Sequence, residues 1–447
     1  MNELTPPPVQ KSRIRKILLL AVLVVAGVAG LGYYASRAGL DKALVEQQLD
    51  AWIERTEKQA QQEGQSIDIR YGDVAIKGGL TDGHALIRDV EVINSTGEKK
   101  SRITIEQVRL EPHSADLSDV GIILPTPIHV FESNNTYESA SIVSDPALSF
   151  AVEQIERSDE KYTRITSHFP QKLTLRFLVG QDASGEEEET QTLTPRYDSI
   201  EVTMGEGSKG ILTTHHSRTD LGDSTLRIND LKIVPVGNEI GTITIDSIKS
   251  DWKNTLNDKQ LNVVEFSAAL TNLSADKAFM PYAPINAALK LSFEGAMPQK
   301  PEDLAAIQSG QMSLKLHTFT LSTKDANVSA TADFVANKDD ILPVGMANIS
   351  IGNVQSWREL LKQKKMLRAK DEPLINTLFM RIAETPLNEA KDITVDIKRA
   401  REGAFQIGAI TFEELLAIIL GNVKTPLDTK MPEPTESSAP VDAVKAE

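Results

Sequence analysis

Seven histidines, 63 Asp and Glu residues and no cysteine set limits on the chemistry open to this 447-residue chain. Without a thiol there is no structural disulfide, no Cys-ligated zinc and no thiol nucleophile. The histidines are His84, His113, His129, His168, His215, His216 and His317. None stands four residues from another and no H-E-x-x-H occurs, so no helix face offers a ready zinc pair. His215 and His216 are adjacent, and on a strand adjacent side chains point to opposite faces. A G-x-S-x-G nucleophile elbow is also missing. Ser274-Ala275-Asp276-Lys277 has the S-x-x-K spacing, but no second motif supports it, and it reads as a polar turn after a strand. Gly205-Glu206-Gly207-Ser208-Lys209-Gly210 lacks P-loop spacing and puts a glutamate where an anion would approach, so it reads as a flexible hairpin connection. Carboxylates abound without any pair standing out. The sequence therefore predicts no catalytic residue, no metal site and no cofactor.

The elements around these residues are more informative. Ile17 to Tyr34 is an uncharged, apolar run, ILLLAVLVVAGVAGLGYY. At about 1.5 Å rise per residue such a helix just spans a bilayer core of about 30 Å. Ile17, Leu18, Leu19, Leu20, Val24 and Val25 form its lipid-facing body, and Tyr33 and Tyr34 close it as an interfacial belt. Lys11, Arg13, Arg15 and Lys16 precede it against Glu3 alone, so the stub is basic and should stay in the cytoplasm. A cleaved signal peptide is the competing reading. The run is longer than a usual signal core, and no clear Ala-x-Ala follows it, so an uncleaved anchor is expected. Either way the remainder faces the far side of the membrane. With a whole-chain charge of −15 and a stub of +3, that remainder carries −18, and an acidic surface repels nucleic-acid backbones.

Residues 40–62 place Leu40, Ala43, Leu44, Leu49, Trp52 and Ile53 near helical spacing, with charges between. Fewer than four heptads are present, so this helix should pack on its own domain rather than form a coiled coil. From residue 66 the period becomes two. Ile67, Ile69 and Tyr71 alternate with polar residues, as do Val90 with Val92; Ile103 and Ile105 give way to Val108 and Leu110 across a bulge. Further strands are expected at 173–178, 199–204 (paired with 211–214), 225–234, 242–248, 261–270, 287–293, 312–321, 328–334 and 346–351. Few helical patterns lie between them, so pairing should be antiparallel. Short helices are expected at 301–308, after an N-cap at Ser356, and from Pro373 to before Pro386, with a hairpin across Arg401-Glu402-Gly403 and a closing helix from Phe412.

The architecture expected is mainly β (α+β). A stub (1–16) and anchor (17–34) lead into a β-rich subdomain with an N-terminal helix (36–220). A second β-rich subdomain with helices near its end (221–422) and a Pro-rich acidic tail (423–447) follow. The order of features resembles a domain-of-unknown-function family of membrane-anchored alphaproteobacterial envelope proteins, distantly similar to AsmA-type proteins. IDIRYGDVAIKGG, LIRDVEVIN, ITIEQVRLEP, LPVGMANISIGNVQSW and DITVDIKRAREGAFQIGAITFEELL carry the resemblance. In that family a Gly-Phe-Pro turn often joins the first strand pair; Lys77-Gly78-Gly79-Leu80 takes its place here. The resemblance implies long β-sheets associated with lipid handling in the Gram-negative envelope, and brings no catalytic residue.

A sheet with Val, Ile and Leu on one side needs something to cover that side. If part stays open, a lipid acyl chain or a protein partner would occupy it. The expectation is a non-enzymatic, single-pass inner-membrane protein with its main domain in the periplasm, handling lipid. A scaffold of an envelope complex is the alternative, and an envelope hydrolase comes third.

Overall fold

The computed structural model describes residues 42–419 except 63–65, 79–82, 97–98, 113–118, 133–136, 158–159, 169–171, 180–188, 206–220, 237–240, 277–279, 298–311, 337–342, 364–366, 368–370 and 401–402. The expected anchor, the 211–214 strand, the 301–308 helix and the tail fall outside these residues. Among the described residues, no helix is long and apolar enough to cross a membrane.

Contacts divide the chain into two compact units, Met1–Ala347 and Asn348–Glu447. Strands on either side of residue 220, where a boundary was expected, are hydrogen-bonded neighbours in one ladder.

The first unit opens with α1 (Lys42–Gln62), followed by β1 (Ser66–Arg70) and β2 (Asp73–Lys77). These two short strands lie end to end against one long strand, β3 (His84–Thr96), which pairs with β4 (Lys99–Pro112). From there the chain alternates between two half-width columns. β5 (Asp119–Leu124) and β6 (Ile128–Glu132) line the two ends of β4. β7 (Tyr137–Asp145) pairs with β6, and β8 (Leu148–Arg157) with β5. β9 (Glu160–His168) then joins β8, while β10 (Lys172–Val179) joins β7. β11 (Glu189–Arg196) and β12 (Ser199–Gly205) follow on β10 and β9, and both finish against β13 (Gly222–Val236). Next come β14 (Ile243–Leu256), β15 (Asn262–Leu273), β16 (Ile285–Gly295), β17 (Met312–Ser322) and β18 (Asn327–Ala336), each antiparallel to the one before. The mainly antiparallel β class expected from the sequence holds. The expected pairing of 199–204 with 211–214 does not: β9 and β13 occupy both edges of β12.

A crease crosses this sheet at right angles to the strands. Short strands break there in pairs, and long strands pass through it with a left-handed residue: Asp89 (φ 51°) in β3, Asp230 (φ 50°) in β13 and Asn272 (φ 53°) in β15. Asp and Asn are the non-glycine side chains that enter this region at least cost. The consequence is a switch of faces. Residues three apart on a regular strand face opposite sides, yet Ile87 and Val90, and Ile105 and Val108, belong to one buried cluster. The sheet thus folds at the crease and turns the apolar sides of its two halves toward a shared core, as strands do when they bend from one layer into another.

Helix α1 closes one end of that core with Val45 (1% exposed) and Leu49 (5%), one turn apart. Each such burial is worth roughly 1.5–3 kcal/mol. Polar contacts tie the helix to the first strands: Tyr71 Oη donates to Asp50 Oδ1 at 2.7 Å, and Lys42 Nζ lies 3.1 Å from Asp73 Oδ1.

In the second unit the end of β19 (Val344–Gly352) pairs with β20 (Ile393–Arg399), and α2 (Val354–Gln363) and α3 (Glu372–Ile382) lie between them in sequence. Val354, Leu387, Ala390 and Ile393 form a small core with Ile375 and Phe379 of α3 against it. Ser356 is not the cap of α2: Asn353, at φ 52°, accepts the Ser356 N–H on its side-chain oxygen at 3.3 Å. Arg358 and Lys362 of α2 reach Glu372 at the start of α3, at 2.9 and 2.7 Å. β21 (Gln406–Ile407) and β22 (Ile410–Thr411) continue from β20 into α4 (Phe412–Ile419). Thr411 and Glu414 cap that helix reciprocally, each accepting the other's backbone N–H.

Candidate functional site

The polar candidates come apart in the structure. Ser274 is held by two backbone hydrogen bonds to Thr244, both 2.8 Å, at the edge of β15. Lys277, His113, His215 and His216 lie outside the described residues, as do the anchor and topology residues Lys11 to Tyr34. His84 begins β3, His129 stacks near Phe131 on β6, and His168 ends β9. Among the described residues, no three His, Asp or Glu side chains converge on a metal-sized space.

One nucleophile–base pair does form, and sequence reading had not linked its members. Ser292 Oγ on β16 and His317 Nε2 on β17 are 2.9 Å apart. The backbone explains the meeting. Ser292 stands opposite Lys315, and the register shifts after Leu316, carrying His317 back toward the serine. Acyl transfer also needs donors aimed at a developing oxyanion and a site that excludes water. His317 lies exposed on the flat polar side of the sheet, so the pair reads as a cross-strand hydrogen bond at a bulge.

The apolar side of the same strands is the more unusual surface. Val120, Val152, Ile165 and Val202 stand in one cross-strand file through β5, β8, β9 and β12, each 2–3% exposed. Directly in register, the file continues through Leu226, Ser250, Ala268, Leu289, Phe319 and Ala330 of β13 to β18. All six are only partly buried. A second file alongside it runs Ile228, Ile248, Leu270, Ala287, Leu321 and Val328. A third joins Trp252 and Phe266 to Leu291 and Leu316. Leu314, on the same side, is 48% exposed.

The cause of this change in burial lies in the crease. The second column of strands ends with residues 231–236 of β13 and the first residues of β14, where Thr244 bridges to Ser274. Among the described residues, β16 to β18 have no strands folded back across them. Their apolar side chains pack sideways on one another and remain partly buried, with Leu314 exposed. The other face is polar: Arg227 pairs with Asp251 at 2.6 Å, Ser267 donates to Asp251 at 3.0 Å, and Lys315 lies 3.4 Å from Asp333.

Along one strand, Val264 to Leu270 spans about 20 Å, and five gaps from β13 to β18 span about 24 Å. This exceeds the scattered apolar side chains usual on a soluble surface. Its three central files carry no ionic group, and Ser250 is their only polar side chain from β14 to β18. The face can take hydrocarbon and offers no charge or array of hydrogen bonds to an extended peptide.

No protein family, curated protein or solved structure matches this chain.

Proposed function

We propose that this chain is a non-enzymatic protein of the bacterial envelope that holds lipid acyl chains against the apolar face of β13 to β18. The open continuation of a buried apolar file, Val202 to Leu226 and onward to Phe319, is the observation that carries the reading. The dimensions support it, since a hydrocarbon layer of about 15 Å per leaflet fits within a face of about 20 by 24 Å. The proposal includes residues 17–34 as a single-pass anchor in the inner membrane, the basic stub in the cytoplasm and the β-rich part in the periplasm. It also includes the likeness to AsmA-type envelope proteins. Such an anchor would tether the β-rich part to a membrane that is a source of lipid.

The test is titration of the purified protein with a long-chain fatty acid, read through Trp252 emission, with Trp52 and Trp357 replaced by Phe. Saturable blue-shifted emission that is lost in Phe319→Asp is the result expected. No change in a protein that retains its far-UV signal would overturn the reading. A scaffold role draws on the exposed Phe412, Leu416 and Ile419 of α4, and a stoichiometric protein co-purifying from detergent-solubilised membranes would favour it.

A further inference from the structure

We draw no further inference here: the strongest candidate, the exposed apolar surface patch formed by Phe412, Leu416 and Ile419 of α4 with Leu374 and Met380 of α3, carries nothing because nothing in the structure shows what covers it.

Discussion

Val202 and Leu226 stand directly opposite each other on β12 and β13, on the same side of the sheet, yet Val202 is 3% exposed and Leu226 is only partly buried, packed against the rim of the core. Between these two residues the sheet begins to pass from a closed core to an open face. The pair therefore marks the rim of the core, beyond which the file runs on through less buried residues.

Charges placed on either side of that line should behave differently. Val202→Asp puts an unpaired carboxylate into the core and should cost roughly 4 kcal/mol or more, enough to unfold a marginal domain. Phe319→Asp on the open face should cost about 1 kcal/mol or less, because the carboxylate stays hydrated. Urea denaturation of both variants checks this; equal destabilisation would mean that the face is covered.

The crease makes a prediction about backbone rather than side chains. Asp89 and Asp230 hold left-handed conformations. Replacement of either by Val should destabilise by about 1–2 kcal/mol, whereas Gly should be neutral or slightly favourable. Thermal melts of the four single variants decide the matter. Equal losses from Val and Gly would point to side-chain bonding as the cause instead.

The first edge of the sheet is closed by a helix side chain. Glu57 Oε1 accepts the Ile69 backbone N–H at 3.0 Å, where an added strand would otherwise pair. Glu57→Ala should lose about 1 kcal/mol and raise self-association with concentration, while Glu57→Gln should keep most of the contact. Sedimentation over a concentration series reads the outcome.

At Gly408 the backbone has φ +58°, and an added Cβ would sit 2.0 Å from the Ile382 carbonyl oxygen. Gly408→Ala should loosen the junction of α3 with β21 by more than about 1 kcal/mol. Hydrogen exchange at the Gly408 and Ala409 amides, which donate to Asp396 and Ile382, should rise before global stability falls.

Alkaline pH should act through Tyr197. Its hydroxyl is buried 3.0 Å from Ser167 Oγ, and burial pushes its ionisation above the ordinary tyrosine value. The stability tied to the neutral phenol is present below about pH 10 and is lost as pH rises through the higher folded value. Tyr197→Phe should cost about 1 kcal/mol at pH 7 from the lost hydrogen bond. That deficit should shrink above pH 10, measured by urea midpoints at each pH.

Alternation made many strands readable in the sequence. β10, β12 and β13 to β19 fall where apolar residues recur every second position, and α1 and α4 where they recur at helical spacing. β5 to β9 and β11 were not read; β7, β9 and β11 (YESASIVSD, EKYTRITSH, ETQTLTPR) carry few apolar residues in alternation, and pairing with neighbours on both edges holds them. The change of face between Ile105 and Val108 was visible and read as a bulge, but the β3–β4 register runs through it unshifted. Left-handed Asp89 in β3 stands at the same point of the ladder, on the line that folds the sheet.

By itself the sequence determined the antiparallel β character, the amphipathic helix ahead of the sheet and the absence of thiol chemistry. Those follow from residue type and local period, which each segment carries alone. Tertiary structure decided which apolar faces are covered. Leu289 and Phe319 have the same local pattern as Ile165 and Val202, and only the strands folded across the crease separate core from open surface. Burial depends on what a distant segment places above a side chain, and that is not written in the side chain's own neighbourhood.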